Sequence, residues 1–503
     1  GVIMFNKNII LAASLVALFF SNSAQAVIGP IKISLNTEYR TSSPVIGEIA
    51  TTIKLDKSEI KKTGATTFTS LLESIPSVSF EGGQGNLTAL RLRGNEASHT
   101  LLLLDGQKVL QQGSQPNLDV IPIDQIERVE IIKGPFSSLY GPGAIGGVIH
   151  VFTDKEANSI TSSQVDISSG SKGTTKVNLN TYFKNENSYF DFAATDFQTN
   201  GIDATGNGDL DPIDRTTYGL NLGGQISEDT SINLNLLDTK ATIQYDDLYG
   251  GEVLPDNNLR QMNLGISHNY GKRSKVNLDI MNQDTQRRKE KYELSTITVI
   301  NEMDFDNSKL SLGLSKTIDK DLNNLSTPSE VKKIKHTDLF GQWQGLIIDN
   351  EISVGARVID HDKFSSHTTY NFNWARDISN TARVTVSYGS ATNLPDHFKN
   401  NANLVADKTS LKPERSKSLE LGVSNSFKWG DADIRLYKSK VTDAFKYFNA
   451  SPYYYINDGT VNIQGAELSI GTKLFDWELS SHIDFNKAIS VSTNLQKGRR
   501  PNR

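Results

Sequence analysis

From about residue 160 onward, apolar and polar residues alternate in short segments separated by turns. Residues 218–222 and 232–236 each place an apolar side chain at every second position, on either side of the turn Ser227–Thr230. The same pattern flanks Gly430-Asp431. A period of two is typical of β-strands with one apolar and one polar face, so the pattern predicts a series of antiparallel hairpins.

The connections between these hairpins alternate in length. Tight turns such as Glu228-Asp229 lie at one end, whereas Asp246–Asn258 and Ala391–Ser416 are long and polar. This asymmetry is typical of an outer-membrane β-barrel, whose strands must close because lipid does not tolerate open sheet edges. A soluble β-sandwich or lectin-like array also alternates, but it seldom has this many hairpins in one domain. Aromatic side chains are expected to form girdles at the membrane interfaces: Tyr182, Phe190, Phe192, Tyr388 and Tyr437.

Residues 50–153 have a different pattern, in which glycine and short apolar runs dominate. Apolar side chains from Phe68 to Ile75 recur at helical spacing, and Pro76 ends the predicted helix. Short strands are predicted at 88–94, 100–104 and 129–132. We expect a compact α+β domain, small enough to fill the lumen of a barrel of about 22 strands.

The N-terminal segment indicates export. Lys7 precedes an apolar run from Ile9 to Phe20, and the run is followed by Ala24-Gln25-Ala26. A basic start, an apolar core and a small-residue end predict a secretory signal over residues 1–26, with a buried helix as the alternative. No other apolar run reaches the length of a spanning helix. The mature chain is therefore expected to be secreted, periplasmic or an outer-membrane barrel.

Composition and charge exclude several function classes. The 503 residues carry a net charge of −5, which is too mild to indicate a nucleic-acid partner. The absence of cysteine excludes thiolate zinc sites, cysteine nucleophiles and disulfides. The eight histidines are scattered, and there is no Gly-x-Ser-x-Gly, His-Glu-x-x-His or phosphate-loop motif. We therefore expect no catalytic site and no enzymatic activity.

Several motifs in residues 50–153 carry a family resemblance. Their order and spacing resemble the plug domain of TonB-dependent outer-membrane receptors, and within that family the chain is most similar to the cobalamin (vitamin B12) receptors. The plug motifs are Arg91-Leu92-Arg93-Gly94, Leu103–Gly106, Ile126–Glu130, Lys133-Gly134-Pro135, Ser138–Gly141 and Ala144–Ile149. Further similarity lies at Gly94–His99, Leu411–Ser416, Tyr455–Asn457 and Gln464–Glu467.

The resemblance implies a transmembrane antiparallel β-barrel with an N-terminal α+β plug in its lumen. The expected organisation is a signal peptide at 1–26, a TonB-box leader at 27–49, a plug at 50–155 and a partial barrel at 160–503. Arg499-Arg500-Pro501 resembles a motif that the family follows with roughly five more strands, so the barrel is expected to be truncated from about 22.

The resemblance also implies a function. A plugged barrel in the bacterial outer membrane imports a scarce, bulky nutrient when the inner-membrane protein TonB pulls on the plug. Cobalamin is the expected nutrient, and a siderophore is the alternative within the same family. A passive porin and a barrel enzyme belong to different classes, and neither has such a plug. Membrane lipid and TonB are the implied partners.

The resemblance places a TonB box near the mature N-terminus, where an extended peptide would pair with TonB as an added strand. A disordered leader is the alternative. The expected TonB-box residues are Ile31, Lys32, Ile33, Ser34, Leu35, Asn36 and Thr37. Arg91, Arg93, Glu127 and Arg128 are expected to serve ion pairs within the plug and with the barrel wall.

Polar amides at the apical turns of the plug are candidates to hydrogen-bond the amide side chains of a corrin. A role in packing the loops is the alternative for each of them. The candidate substrate-binding residues are Asn86, Leu87, Asn95, Ser98, His99, Gln111, Gln112, Gln115 and Asn117.

Residues 203–214 hold four carboxylates, and like charges this close repel unless a cation neutralises them. Oxygen ligands on a loop suit Ca²⁺, although the closing Glu of an EF-hand is absent. The position matches the calcium-binding aspartates of cobalamin receptors, and a solvated acidic loop is the alternative. The expected ligands are Asp203, Asp209, Asp211 and Asp214, with Asp246 and Asp256 from the next long loop. Calcium would order both loops over the substrate.

Overall fold

The computed structural model describes residues 46–47, 49–81, 89–109, 111–112, 115–116, 118–153, 161–203, 208, 210–246, 252–253, 256–287, 290–322, 332–408, 410–475 and 477–496. The predicted signal peptide and TonB box lie outside these residues. Among the described residues, no helix has both the length and the apolar character needed to cross a membrane.

The N-terminal domain is built on a five-stranded sheet of order β1-β8-β9-β4-β5, in which β4 and β9 run parallel. Its strands are β1 Thr52–Asp56, β2 Val78–Glu81, β3 Ala89–Leu92, β4 Thr100–Leu104, β5 Gln107–Lys108, β6 Gln111–Gln112, β7 Gln115–Pro116, β8 Arg128–Lys133 and β9 Gly147–Phe152. Its helices are α1 Lys57–Lys62, α2 Phe68–Glu73 and α3 Ser137–Tyr140. Short 3₁₀ turns lie at Ala97–His99, Leu118–Val120 and Ile123–Gln125.

The predicted helix before Pro76 is confirmed as α2. Its first turn is closed by a capping box, in which the Thr67 hydroxyl accepts from the backbone N–H of Ser70 and the Ser70 side chain accepts from that of Thr67. Its apolar face packs into the main core of the domain together with the strands β4 and β9. The predicted strands at 100–104 and 129–132 are also confirmed, as β4 and within β8.

The remaining residues form a sheet of seventeen strands, each antiparallel to its neighbour in chain order. Its strands are β10 Ser162–Ser169, β11 Thr175–Lys184, β12 Ser188–Thr199, β13 Ile213–Ser227, β14 Thr230–Ile243, β17 Asp256–Gly271, β18 Ser274–Arg287, β19 Glu290–Asp304, β20 Ser308–Asp321, β21 Lys332–Ile347, β22 Asn350–His361, β23 His367–Asp377, β24 Ala382–Asn393, β25 Glu414–Phe427, β26 Gly430–Thr442, β29 Thr460–Leu474 and β30 Trp477–Ser490. Its loops carry the hairpins β15 Tyr245–Asp246 with β16 Glu252–Val253 and β27 Phe445–Phe448 with β28 Tyr454–Asn457, and the helix α4 His397–Val405.

The two ends of this sheet differ as the sequence predicted. At one end the strands are joined by turns as short as residues 272–273, 348–349 and 428–429. At the other end the connections include residues 394–413 and 443–459. Outer-membrane barrels have short periplasmic turns and longer extracellular loops, so the long connections mark the extracellular side.

The alternation of the strands is confirmed, and the buried face is the polar one. In β25, Glu420 is 7% exposed, whereas its neighbours Leu419 and Leu421 are 44% and 47% exposed. A soluble sandwich would bury the leucines, since apolar burial is what stabilises it. The apolar face therefore contacts lipid.

The prediction of a girdle position is wrong for Tyr182 and Tyr437. Both side chains are buried, and each lies directly opposite a buried carboxylate on the neighbouring strand, Asp191 and Glu420 respectively, so both face the lumen. Tyr388, by contrast, lies on the outward face and is 38% exposed.

The sheet surrounds the N-terminal domain, and strands from β11 to β29 contact the domain. Lys176 of β11 pairs with Asp124 at 2.6 Å, and the Gln261 side chain of β17 donates to the carbonyl of Leu104 at 3.0 Å. Further contacts come from Asn371 of β23 and from Glu467 of β29. The domain therefore occupies the lumen of a transmembrane antiparallel β-barrel, and residues 46–153 are called the plug below.

Candidate functional site

A cavity of about 130 Å³ lies between the plug and the barrel wall, close to the extracellular side. The plug contributes the turn around Gly106–Lys108 and residues near α3, and the wall contributes the strands β19 to β22. The loop residues Leu394, Pro395 and Asp396 cover it. The cavity therefore lies where the plug, the wall and an extracellular loop meet.

Ionisable side chains line this cavity. Arg357 of β22 donates to Asp338 at 2.5 Å and to the plug carbonyls of Ser138 and Leu139, so it ties the wall to α3. Lys108 of the plug faces Asp319 and Asp396. Burial lowers the pKa of the Lys108 ammonium although these two carboxylates oppose the effect. The cavity is thus polar and strongly charged for its size.

The helix α4 belongs to the extracellular loop that covers the cavity. The Asp396 side chain caps its first turn by accepting from the backbone N–H of Lys399 at 2.8 Å. The Asn403 amide donates to the carbonyl of Tyr455 at 3.0 Å and accepts from its N–H at 2.7 Å. These paired bonds fix α4 against the hairpin β27–β28.

An aromatic cluster lies on the extracellular face of that hairpin and α4. The rings of Phe398 and Tyr453 stack at 6.0 Å, and Tyr447 lies 5.7 Å from Tyr453 and 5.5 Å from Tyr455. Tyr447 and Tyr453 are 50% and 39% exposed. Exposed aromatic rings with polar tips suit the binding of a large, partly apolar ligand, and this cluster was not found from the sequence.

Two of the described substrate-site candidates, Ser98 and His99, contact the barrel wall, whereas Asn95 bonds within the plug. The His99 Nε2 atom is 2.8 Å from the Glu414 carboxylate, and the Asn393 amide donates to Ser98 at 3.3 Å. The Asn95 amide donates to the carbonyl of Leu92. Of these three candidates only Ser98 lines the cavity, so their role in substrate binding stays a prediction.

The other substrate-site candidates are described in part or not at all. Asn86, Leu87 and Asn117 lie outside the described residues. The backbones of Gln111, Gln112 and Gln115 form the hairpin β6–β7, whereas their side chains lie outside the described part.

A buried ion network joins the plug to β25 and β29. Arg93 donates to Glu467 at 2.8 Å and to Glu420 at 2.5 Å, and Lys133 lies 3.2 Å from Glu467. Burial lowers the pKa of both cations, and the carboxylates outweigh burial for Arg93 but not for Lys133. The Ser77 hydroxyl donates to Glu467 at 2.6 Å.

The ion-pair roles expected for the plug residues are confirmed. Arg93 forms the network with the wall, Arg91 pairs with Glu96 at 2.6 Å, and Arg128 pairs with Glu130 at 2.9 Å. Glu127 pairs with Lys57. The partners Glu420 and Glu467 were not assigned a role from the sequence, although a lone carboxylate between outward apolar residues is a signal for an inward position.

The predicted calcium ligands are not brought together among the described residues. Asp203 accepts from the N–H of Gly208 at 3.0 Å, whereas Asp211 is buried at the base of the loop. Asp214 and Asp256 flank Thr242 on the exposed face of the sheet. Within the described part of the chain, no group of three or more His, Asp or Glu side chains is arranged to hold a metal ion. Asp209 and the side chain of Asp246 lie outside that part, so the site stays a prediction.

The histidines are less scattered than the sequence indicated. The rings of His336 and His361 stack at 6.2 Å on neighbouring strands. His397 of α4 lies 3.3 Å from the Asp319 carboxylate and 6.1 Å, ring to ring, from Tyr292.

The plug begins at the periplasmic side of the wall. The N–H of Gly47 donates to Glu351 at 2.9 Å, directly after the short turn at 348–349. Glu351 is itself held by two bonds from Arg383, at 2.8 and 2.7 Å. Ile46 and Ile49 pack on Ala375 beside this contact. We call Gly47, Glu351 and Arg383 the rim clamp.

Comparisons with known proteins agree with this architecture. Residues 47–148 match the family described as TonB-dependent Receptor Plug Domain, and residues 157–503 match TonB dependent receptor-like, beta-barrel. The chain is 25% identical over 461 residues to the vitamin B12 transporter BtuB of Vibrio vulnificus (strain CMCP6), covering 86% of this chain and 74% of that protein.

Two solved structures share the fold. The copper transporter OprC has a TM-score of 0.76 at 18% identity, covering 90% of this chain and 81% of that chain. The ferric enterobactin receptor PfeA has a TM-score of 0.75 at 15% identity, covering 88% and 82%. The family matches cover both the plug and the wall, and they agree with the charged seam between the two and with the lipid-facing apolar surface. The chain therefore belongs to the family of TonB-dependent receptors of the bacterial outer membrane.

Proposed function

We propose that this receptor imports cobalamin across the outer membrane with energy supplied through TonB. The observation that carries the proposal is the similarity to a vitamin B12 transporter over 86% of the chain, which extends through both plug and barrel. The likeness to the copper and enterobactin proteins is one of fold and does not favour their cargo.

The extracellular architecture supports a bulky cargo. The exposed tyrosines of the aromatic cluster offer flat apolar surface with hydroxyl groups at the edge, which suits a macrocycle bearing amide groups. The 130 Å³ cavity below is far too small for such a molecule, since ligand pockets for drug-sized molecules are about 300–1,000 Å³. The cargo would therefore bind on the aromatic cluster above the plug, and passage would require the plug to move.

The position of the rim clamp supports the TonB part of the proposal. Gly47 contacts the wall at its periplasmic end, which is the side from which TonB would act on the proposed box at 31–37. Deleting residues 31–37 should abolish energised uptake and spare binding at the cell surface. Uptake that persists in the deletion would refute the TonB mechanism.

Isothermal titration with cyanocobalamin, with and without Ca²⁺, tests the cargo. We expect binding heat with cyanocobalamin, and tighter binding with Ca²⁺ if the carboxylates at 203–214 order their loop. Heats absent in both conditions would remove the cobalamin assignment, and heat with ferric enterobactin instead would favour the siderophore alternative.

A matched pair of variants tests the location of the cargo. Tyr453→Ala removes an aromatic side chain from the cluster and should weaken cyanocobalamin binding by about tenfold or more, as for buried aromatic anchors elsewhere. Trp429→Ala removes an exposed aromatic from a periplasmic turn and should leave binding unchanged. Equal affinities for the two variants would place the cargo away from the cluster.

A further inference from the structure

The outward faces of β25, β26, β29 and β30 change from apolar to positively charged toward the extracellular end. One level of the sheet aligns Leu421, Leu436, Ala466 and Phe485 across the four strands. The next level toward the long loops aligns Leu419, Lys438, Gln464 and Lys487, and the level beyond it pairs Lys417 with Lys440. An apolar surface therefore ends in a band of lysines at the boundary of the membrane.

Three of these lysines, Lys417, Lys438 and Lys440, lie close together on the outward face. Lys417 and Lys440 are directly opposite on adjacent strands, where side chains are about 5 Å apart and like charges destabilise the pair. Lys438 follows two residues along the same face, about 7 Å away. In the described part of the chain none of the three is within ion-pair distance of a carboxylate, and all three are exposed. An anion between them would relieve this repulsion.

A groove leads from the lysines into the apolar surface. It encloses about 520 Å³, and its walls include Leu419, Leu421, Leu436 and Phe485, with Lys438 and Lys487 at its upper end. Ala466 forms part of its floor, since a small side chain there leaves space between its larger neighbours. The groove is open to the membrane along its length.

Another sector of the wall shows that the lysine band is not a general property of the barrel. At the extracellular half of β14 to β20, one outward level aligns Asp238, Arg260, Asp284, Glu293 and Lys320. There Arg260 pairs with Asp238 at 3.0 Å, and Lys320 pairs with Glu293. In that sector cations and carboxylates neutralise one another, whereas among the described residues Lys417, Lys438 and Lys440 have no carboxylate within ion-pair distance.

We propose that Lys417, Lys438 and Lys440 with the adjoining groove bind a phosphorylated lipid of the outer leaflet, its phosphate between the ammonium groups and an acyl chain along Leu421, Leu436 and Phe485. Charge complementarity selects the anionic headgroup, and continuity of the groove with the lipid-facing surface selects a molecule that also carries a chain. The proposal rests on the outer-membrane location of the family and is independent of the nutrient carried.

Native mass spectrometry of the protein in neutral detergent tests this site, with diphosphorylated lipid A as the probe because it combines phosphates with acyl chains. Lys417→Gln/Lys438→Gln/Lys440→Gln should weaken binding on the order of 100-fold, since each lysine near an anionic lipid surface contributes roughly fivefold. The matched variant Lys240→Gln/Arg260→Gln/Lys320→Gln removes three outward cations from the other sector and should bind as the unmodified protein does.

The outcomes separate the site from its alternatives. Equal lipid retention by the band variant and the unmodified protein, or equal loss in both triple variants, would overturn the proposal. Displacement of the lipid by glycerol phosphate at equal concentration would also overturn it, because the groove would then contribute nothing. Heat-modifiable mobility on gels establishes that each variant is folded before the comparison is made.

Discussion

Successive residues of the strands β25, β26 and β29 face opposite environments. The inner face contacts the plug, and the outer face contacts lipid. On the inner face, Glu420 and Glu467 are nearly inaccessible to solvent and hold Arg93 of the plug. On the outer face, Leu421 and Leu436 are 47% and 51% exposed in the isolated protein and are covered by lipid in the membrane. The inner face gains specificity from charge pairing, and the outer face gains stability from the apolar solvent around it.

Burial alone therefore does not rank the importance of a position in such a barrel. Removing a buried inner carboxylate destabilises the protein, because its cationic partners stay buried without a counter-charge. An exposed outer leucine is costly to charge because the surrounding medium cannot solvate an ion.

Glu467→Ala should loosen the plug most strongly. The substitution leaves Arg93 and Lys133 buried with one carboxylate fewer, and removing one partner of a buried ion pair costs about 3–5 kcal/mol. Release of the plug from the wall, followed by protease cleavage of the plug as urea is increased, should occur at a lower urea concentration. Glu467→Gln retains an acceptor of the same size and should show a smaller change. An unchanged release midpoint for the alanine variant would show that the network does not hold the plug.

Leu421→Arg should destabilise the barrel without affecting the plug. Leu421 lies on the lipid face of β25, two residues from the level that carries Lys438, so an Arg there should cost more than the roughly 0–1 kcal/mol of the interface and less than the roughly 2–4 kcal/mol of the bilayer midplane. The cost should appear in urea titrations of the protein refolded into phospholipid bilayers and should shrink in detergent. Leu421→Met preserves an apolar side chain of similar volume and is the control. Equal losses in bilayer and detergent would mean that Leu421 does not face lipid.

Docking of α4 should weaken as the pH rises, with the smallest effect of the three. Burial lowers the pKa of His397, but contact with Asp319 and the charge of Asp321 outweigh burial and the repulsion of Lys363, so the pKa stands above 6.5. The phenol of Tyr292, whose ring lies 6.1 Å from that of His397, does not titrate in this range, since the ordinary pKa of tyrosine is about 10. A raised pKa in the folded state contributes stability that is complete below 6.5 and is lost as the pH passes the raised value.

Protease cleavage within residues 394–413 should therefore increase between pH 6 and alkaline pH. The control His397→Gln removes the charge and should abolish the pH dependence of cleavage. A pH dependence that survives in this variant would assign the effect to another group.

The alternation of the strands, the unequal connections and the presence of a plug could be predicted because each depends on neighbouring residues. The partner of Arg93 could not be predicted from spacing alone, since Glu467 lies 374 residues further along the chain. The two come together only because the plug lies against the barrel wall. The aromatic cluster was missed for the same reason: Phe398 and Tyr453 belong to different loops.

The error at Tyr437 was avoidable from the sequence. Ile434 and Leu436 place the apolar face at even positions of β26, so an odd position such as 437 belongs to the inner face. Its aromatic ring was assigned to the membrane interface because tyrosine is common there, and the period of the strand is the stronger signal. Within the lumen the ring packs on the Arg93 guanidinium at 4.3 Å.

The rim clamp is the first contact that a pulling force on the N-terminal segment would break. A tension applied to residues before Ile46 reaches the Gly47–Glu351 hydrogen bond ahead of the plug sheet, and Arg383 braces that carboxylate against the wall. Next along the chain come Thr51, whose hydroxyl donates to Glu420 of the wall at 2.6 Å, and then β1, whose one strand partner among the described residues is β8. Rupture would then proceed in sequence, one anchor and one edge strand at a time, so the lumen could be partly opened without unravelling the remaining four-stranded sheet.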